Sequence, residues 1–193
     1  TSYSLINNTY TKIGDFMKKT RVYAVIGIFI LSFLCHFVFD FFPCILTSIF
    51  FPVNESIWEH MKILFTATLI YGIIDHFILT KKDISFNNFF LQLFASAFLA
   101  IPIFLIIYMP THYLFGEFLP LTLVIMLLTY IICQFISYKI LNFRDIPLLN
   151  QLSIIIIIIM YVIFTYLTYY PFESYIFYDT TTGIYGIEKE SQN

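Results

Sequence analysis

The chain has 193 residues, 60% of them hydrophobic and 21% aromatic, with 11% charged and a net charge of −2. Soluble domains carry about a quarter charged residues, so this chain cannot clothe a globular surface in polar side chains, and lipid must solvate most of it. The net charge implies no nucleic acid or other polyanion as a partner.

The pattern predicts an all-α integral membrane bundle of five transmembrane helices spread over residues 21–170. Residues 1–20 are polar and mixed (Asn7, Asn8, Lys12, Asp15, Lys18, Lys19) and read as a cytoplasmic lead-in, with a short interfacial helix around residues 13–17. Residues 21–42 form the first span, since about 20 apolar residues at a 1.5 Å rise cross a core of roughly 30 Å. This span carries His36 and Asp40 one helical turn apart, and Pro43 ends it. Residues 44–53 are apolar but too short to cross, and read as an interfacial connection.

The second span covers residues 56–80. It starts at Asn54 as N-cap or, in the other register, at a capping box of Ser56 and Glu59. The third covers residues 87–109, with small residues (Ala95, Ser96, Ala97, Ala100) suited to close helix contact. A loop with His112 and Glu117 leads to the fourth span at 119–138. The fifth, at 151–170, holds six consecutive isoleucines and ends in a belt of tyrosines. Residues 171–193 read as an extracytoplasmic tail folding back on the outer face, with turns at Asp179 and at residues 183–186. Cys35, Cys44 and Cys133 make neither a disulfide framework nor a zinc spacing.

Eight of the ten Lys and Arg residues fall on the side of the N-terminus; Lys62 and Lys189 fall on the other. The positive-inside rule then puts the N-terminus in the cytoplasm and the C-terminus outside, in the cell membrane. The polar chemistry gathers at the outer end. Residues 52–62 hold Glu55, Glu59, His60, Lys62 and Trp58 in one short run.

On a helix, Glu55, Glu59, Lys62 and Thr66 form one stripe, and His60, Leu64, Thr68, Tyr71 and Asp75 another. Neither belongs against lipid. Glu55 and Glu59 repel at i,i+4 spacing. Either the helix N-terminus with Lys62, or a shared divalent cation, relieves that repulsion. Carboxylates and imidazoles are the ligands of Zn, Mn or Fe sites, which makes His36, Asp40, Glu55 and His60 the candidate metal set. Asp40 could instead simply orient His36. Trp58 reads as an interface anchor or a stacking surface for substrate, and Asp75, deep in the second span, as paired or functional.

The string FPVNESIWEHMK at residues 51–62 resembles the signature of an uncharacterised family of small multi-pass bacterial membrane proteins. Those proteins also carry a His and an acid in the preceding span, here His36 and Asp40. They end in a tail similar to FxDPxTGxYGI, here residues 177–187, with Thr180 in place of the proline. The resemblance implies that the first hairpin and the tail, including Asp179 and Tyr185, belong together; it implies no activity.

Three functions compete. The first is a membrane-embedded hydrolase or transferase, metal-assisted or acid–base, acting on a lipid-linked or peptide substrate. Its ligands or general acids and bases would be His36, Asp40, Glu55, Glu59 and His60, and it needs a wet cleft where these groups meet. The second is a non-catalytic subunit docking a membrane partner through residues 52–62, including Asn54, with an exposed apolar patch and no cavity. The third is a small ion-coupled carrier titrating Asp75, which needs a polar path from the outer cluster to that residue.

Overall fold

The computed structural model describes residues 2–82 and 86–187, with side chains from residue 16 onward. The expectations for the side chains of Asn7, Asn8, Lys12 and Asp15, and for Asp83 and the tail beyond residue 187 with Lys189, lie outside the described residues.

The described chain is all-helical: α1 (Ser2–Phe41), α2 (Ile45–Phe50), α3 (Ile57–Lys81), α4 (Phe89–Phe115), α5 (Leu119–Leu141), α6 (Pro147–Tyr169) and a 3₁₀ turn (Tyr175–Phe177). Five helices are long and apolar enough to cross a membrane: residues Phe16–Phe41 of α1, and the whole of α3, α4, α5 and α6. The chain is a multi-pass membrane protein built on those five helices. α2 is the short connection between the first two.

Three boundaries differ from the sequence reading. α1 is one helix of 40 residues from Ser2, where a polar lead-in with a short helix was expected. No proline interrupts residues 2–20, and a single glycine such as Gly14 costs only about 1 kcal/mol. α4 continues through Pro110 to Phe115. The Thr111 hydroxyl lies 3.0 Å from the Ile107 carbonyl and 2.8 Å from that of Tyr108 and shares its one proton between them, in the turn where the proline has no N–H to give. α6 begins at Pro147, because proline is well suited to a first helical turn whose N–H groups lack partners.

α3 is the central helix. Half of its most apolar window is buried, against 11% for α6. α1 packs on α3 and α5, α4 packs on α3, α5 and α6, and α2 packs on α6. The isoleucine run of α6 turns outward, with Ile155 and Ile158 more than half exposed, as a lipid-facing surface should be. The core is Phe65, Met61, Leu64, Ala97, Ala100 and their neighbours.

Asn88, in the left-handed region at φ 53°, opens α4 and clamps the far end of the bundle. Its amide donates to the Arg144 carbonyl (3.0 Å) and accepts from the Ile146 N–H (2.8 Å). Asparagine tolerates that backbone better than other residues with a side chain.

The helices alternate in direction, so their ends segregate by charge. One end holds Lys18, Lys19, Lys81, Lys82, Lys139 and Arg144. The other, the acidic end, holds Asp40, Glu55, Glu59, Glu117, Glu173 and Asp179 with Lys62.

Candidate functional site

The site starts from how α3 begins. Ser56 is the N-cap, and its hydroxyl accepts the Glu59 N–H at 3.3 Å. Asn54 Oδ1 accepts the Ser56 N–H at 2.9 Å, holding the turn that precedes the helix. Glu55 is therefore presented just outside the helix and His60 one turn inside it. The His60 Nδ1 lies 2.9 Å from the Ser56 carbonyl. A carbonyl can only accept, so this nitrogen carries the proton and Nε2 is left to face Glu55.

Glu55 Oε2 lies 3.4 Å from His60 Nε2 and 3.7 Å from His36 Nε2, which α1 brings across. One ligand atom from each of the three side chains falls within 4.8 Å of the others. A tetrahedral ion at about 2.1 Å from each ligand would hold them roughly 3.4 Å apart. The two contacts to Glu55 are close to that, and the third separation is within 4.8 Å.

The other candidates stand apart from this trio. Asp40 is exposed in the last turn of α1, and no hydrogen bond or ion pair reaches it among the described residues; His36 turns to Glu55 and stacks on Phe37. Glu59 points to the opposite side of α3, where it pairs with Lys62 at 2.6 Å and accepts from Thr168 at 2.7 Å. Glu55 and Glu59 thus do not share a cation: the helix separates them and gives each a different positive or polar neighbour. Trp58 packs between Phe164 of α6 and Phe177 of the tail, with ring centroids 5.3 and 5.0 Å away.

Asp75 is paired with Arg21 across the α1–α3 interface. Arg21 was read as one of the positives at the cytoplasmic margin, but it is 7% exposed and belongs to a buried network. Gln92, Gln134 and Ser137 complete that network. Sequence reasoning missed them because a lone amide or hydroxyl in an apolar run carries no signal of what it faces.

The tail docks on the turn before α3. Asn54 Nδ2 donates to the Gly186 carbonyl at 2.8 Å, and the Ile187 N–H to the Thr168 carbonyl at 3.1 Å. Tyr178 and Tyr185 close a small loop through an isolated bridge. Within it Asp179 accepts from the Thr181 N–H (2.7 Å) and hydroxyl (2.6 Å), the Thr182 hydroxyl (2.8 Å) and the Glu55 N–H (3.3 Å).

Burial alone would raise the Asp179 pKa. The hydrogen bonds from Thr181, Thr182 and Glu55 outweigh it and hold the carboxyl down at about 2. A depressed carboxyl stabilises the fold above its unfolded value, near 4, and that contribution is lost as pH falls to about 2. Tail opening, read by hydrogen exchange at Gly183 and Ile187 and corrected for intrinsic rates, should therefore ease by on the order of 1 kcal/mol between pH 5 and pH 2. Asp179→Asn should remove the dependence. A flat wild-type profile would show that the Asp179 loop does not hold the tail.

Between α3, α4, α5 and the tail lies a cleft of about 360 Å³. Glu55 and His60 line one side of it. Opposite are His112, in the last turn of α4, and Glu117, in the turn to α5. His112 bridges two tyrosines, with Nε2 2.6 Å from the Tyr175 hydroxyl and Nδ1 3.3 Å from that of Tyr108. The sequence showed His112 and Glu117 near this end. It did not show the tyrosine wall, because Tyr108 sits in an apolar span and Tyr175 in the tail.

No curated protein and no solved structure matches the chain. Its residues 10–187 match one family model, described as a family of unknown function, DUF6512. The match spans both the first hairpin and the tail, and the chain belongs to that family.

Proposed function

We propose that this protein is a membrane-embedded, metal-assisted hydrolase or transferase whose site opens at the extracytoplasmic face. His36, Glu55 and His60 would hold a divalent ion. The single observation that carries this reading is the convergence of His36 Nε2 and His60 Nε2 on one Glu55 oxygen, beside a cleft of about 360 Å³. Two imidazoles and a carboxylate are a common set for Zn or Fe, and the Ser56 carbonyl supplies the outer hydrogen bond that fixes a ligating histidine.

A bound ion there would polarise a carbonyl or acidify a water. The chain's own groups do the rest. His112 is placed across the cleft to hold or move a proton, its orientation fixed by Tyr108 and Tyr175. Ile57, Met61, Phe104 and Phe118 form apolar wall around the reacting groups. The orientation rests on the basic end, whose lysines and Arg144 favour the cytoplasm and so turn the cleft outward.

The packing supports this reading over a carrier. Between the cleft and Asp75, α3 presents Leu64 and Phe65, both buried in an apolar core that also holds Ala97 and Ala100 of α4, with Phe65 against Tyr161 and Phe164 of α6. Asp75 itself is held by Arg21.

Elemental analysis of the full chain, purified without chelators, tests the proposal. About one divalent ion per chain is expected. His60→Ala and Glu55→Gln should each weaken its retention by more than about 100-fold, beyond what changes outside the ligand set cost. Asp40→Asn should leave it unchanged. Metal-free protein, or full occupancy in His60→Ala, would overturn the metal site.

A further inference from the structure

The cleft is electrically one-sided. Its lining includes two carboxylates, Glu55 and Glu117, and neither lysine nor arginine. The end around it carries six described carboxylates against one lysine, and that lysine is fully buried on Glu59. A divalent ion on the His36, Glu55 and His60 side would offset Glu55, so the negative part of the cleft is its Glu117 side, and there a cation is favoured. Phosphate heads are gripped by Arg, Lys or convergent N–H groups, and no such side chain lines this cleft.

What does line it suits a cation. Tyr108 and Tyr175 line the space with Tyr178 and Glu117; Tyr108 is stacked against Phe104 and His112, so the rings left to a ligand are those of Tyr175 and Tyr178. His112 ties Tyr108 and Tyr175 together through its ring nitrogens. Aromatic faces with a nearby carboxylate form the setting in which organic ammonium groups are bound. Among the described residues the one hydrogen bond to Glu117 is a weak one from the Thr180 hydroxyl at 3.4 Å, and the carboxylate is exposed, so its charge is available to a ligand. Phe104, Phe118 and Leu119 continue the wall with apolar surface.

From this, and resting on the reading of the cleft as a substrate chamber, we infer that the substrate carries an organic ammonium group joined to an apolar chain. Glu117 and the rings of Tyr175 and Tyr178 take the ammonium; Phe104, Phe118 and Leu119 take the chain. Two sources share that chemistry: the amino terminus of an apolar peptide, and a long-chain amine.

Calorimetry on the full chain in a non-ionic detergent tests this. Octylamine is compared with N-octylacetamide, and phenylalanyl-alaninamide with its N-acetyl form. At least one free amine should bind roughly 10-fold more tightly than its acetylated counterpart. The amine that shows the preference identifies the source. Glu117→Gln should shrink the preference below about 3-fold while metal content stays as in wild type. His60→Ala should lose the metal and keep the preference. The metal proposal and this one can therefore fail separately.

Equal binding of amine and acetamide would overturn the inference. So would an equal loss of preference in Glu173→Gln, which removes an exposed carboxylate outside the cleft and would assign the effect to the general surface field.

Discussion

Lys62→Met should cost the folded protein about 3 to 5 kcal/mol, the usual result of stranding one member of a buried ion pair. Lys62 is fully buried and Glu59 is 1% exposed. The ammonium has three protons and three acceptors: Glu59 at 2.6 Å, the Ser48 carbonyl at 2.8 Å and the Phe51 carbonyl at 3.3 Å. Glu59 is as fully used, accepting from the Val53 N–H at 3.0 Å and the Thr168 hydroxyl at 2.7 Å besides Lys62. Methionine keeps the volume and the flexible stem but leaves the carboxylate charged in an apolar setting.

The double variant Lys62→Met/Glu59→Leu should recover part of the loss, because no charge is then left unpaired. Equilibrium unfolding by SDS in mixed micelles reads both. A Lys62→Met protein within about 0.5 kcal/mol of wild type would show that the pair does not matter to the fold. The same variant should also loosen the site. The pair fastens the connection after α2 and the end of α6 to α3, and the same first turns of that helix present His60 on another face, with Glu55 just before the N-cap.

The five spans were legible in the sequence because each is a long apolar run, and length with hydropathy is what a bilayer selects. Their ends were less so. Pro110 looked like a terminator, yet Thr111 follows it with a hydroxyl that serves two nearby carbonyls. The site was legible as a region and not as a set of partners. Helical spacing placed Glu55, Glu59, His60 and Lys62 within two turns, and it put Glu59 and Lys62 on one stripe.

Spacing could not say that α2 and α6 lie against that stripe while α1 lies against His60 and Glu55. Partner choice is set by tertiary packing, and a single sequence carries no record of which helix neighbours which. Arg21 shows the same limit. At the start of a span a lone arginine reads as a marker of the cytoplasmic side, and its pairing with Asp75 shows only when α1 is set beside α3.

That second pair gives the other large effect. Arg21 and Asp75 are 7% and 2% exposed, and they join α1 to α3 well inside the bundle. Arg21 Nη1 also donates to Ser137 at 3.0 Å and Gln134 at 3.3 Å on α5, and Ser137 donates on to Gln92 of α4. One guanidinium thus fixes the approach of four helices. Arg21→Met should destabilise the protein by about 3 kcal/mol or more, since it strands Asp75 and leaves two α5 side chains without their donor.

Asp75→Asn alone should cost less, because a neutral amide can still accept from Arg21. Combining it with Arg21→Met should cost less than the sum of the two singles by more than about 1 kcal/mol, the mark of direct coupling. Additive losses would mean that the two side chains act independently. Metal content and amine preference at the acidic end are the controls. Leu64 and Phe65, members of the buried apolar core, lie along α3 between the two regions, so Asp75→Asn should change neither. A change in either would revive the carrier reading, in which Asp75 and the outer cleft work as one unit.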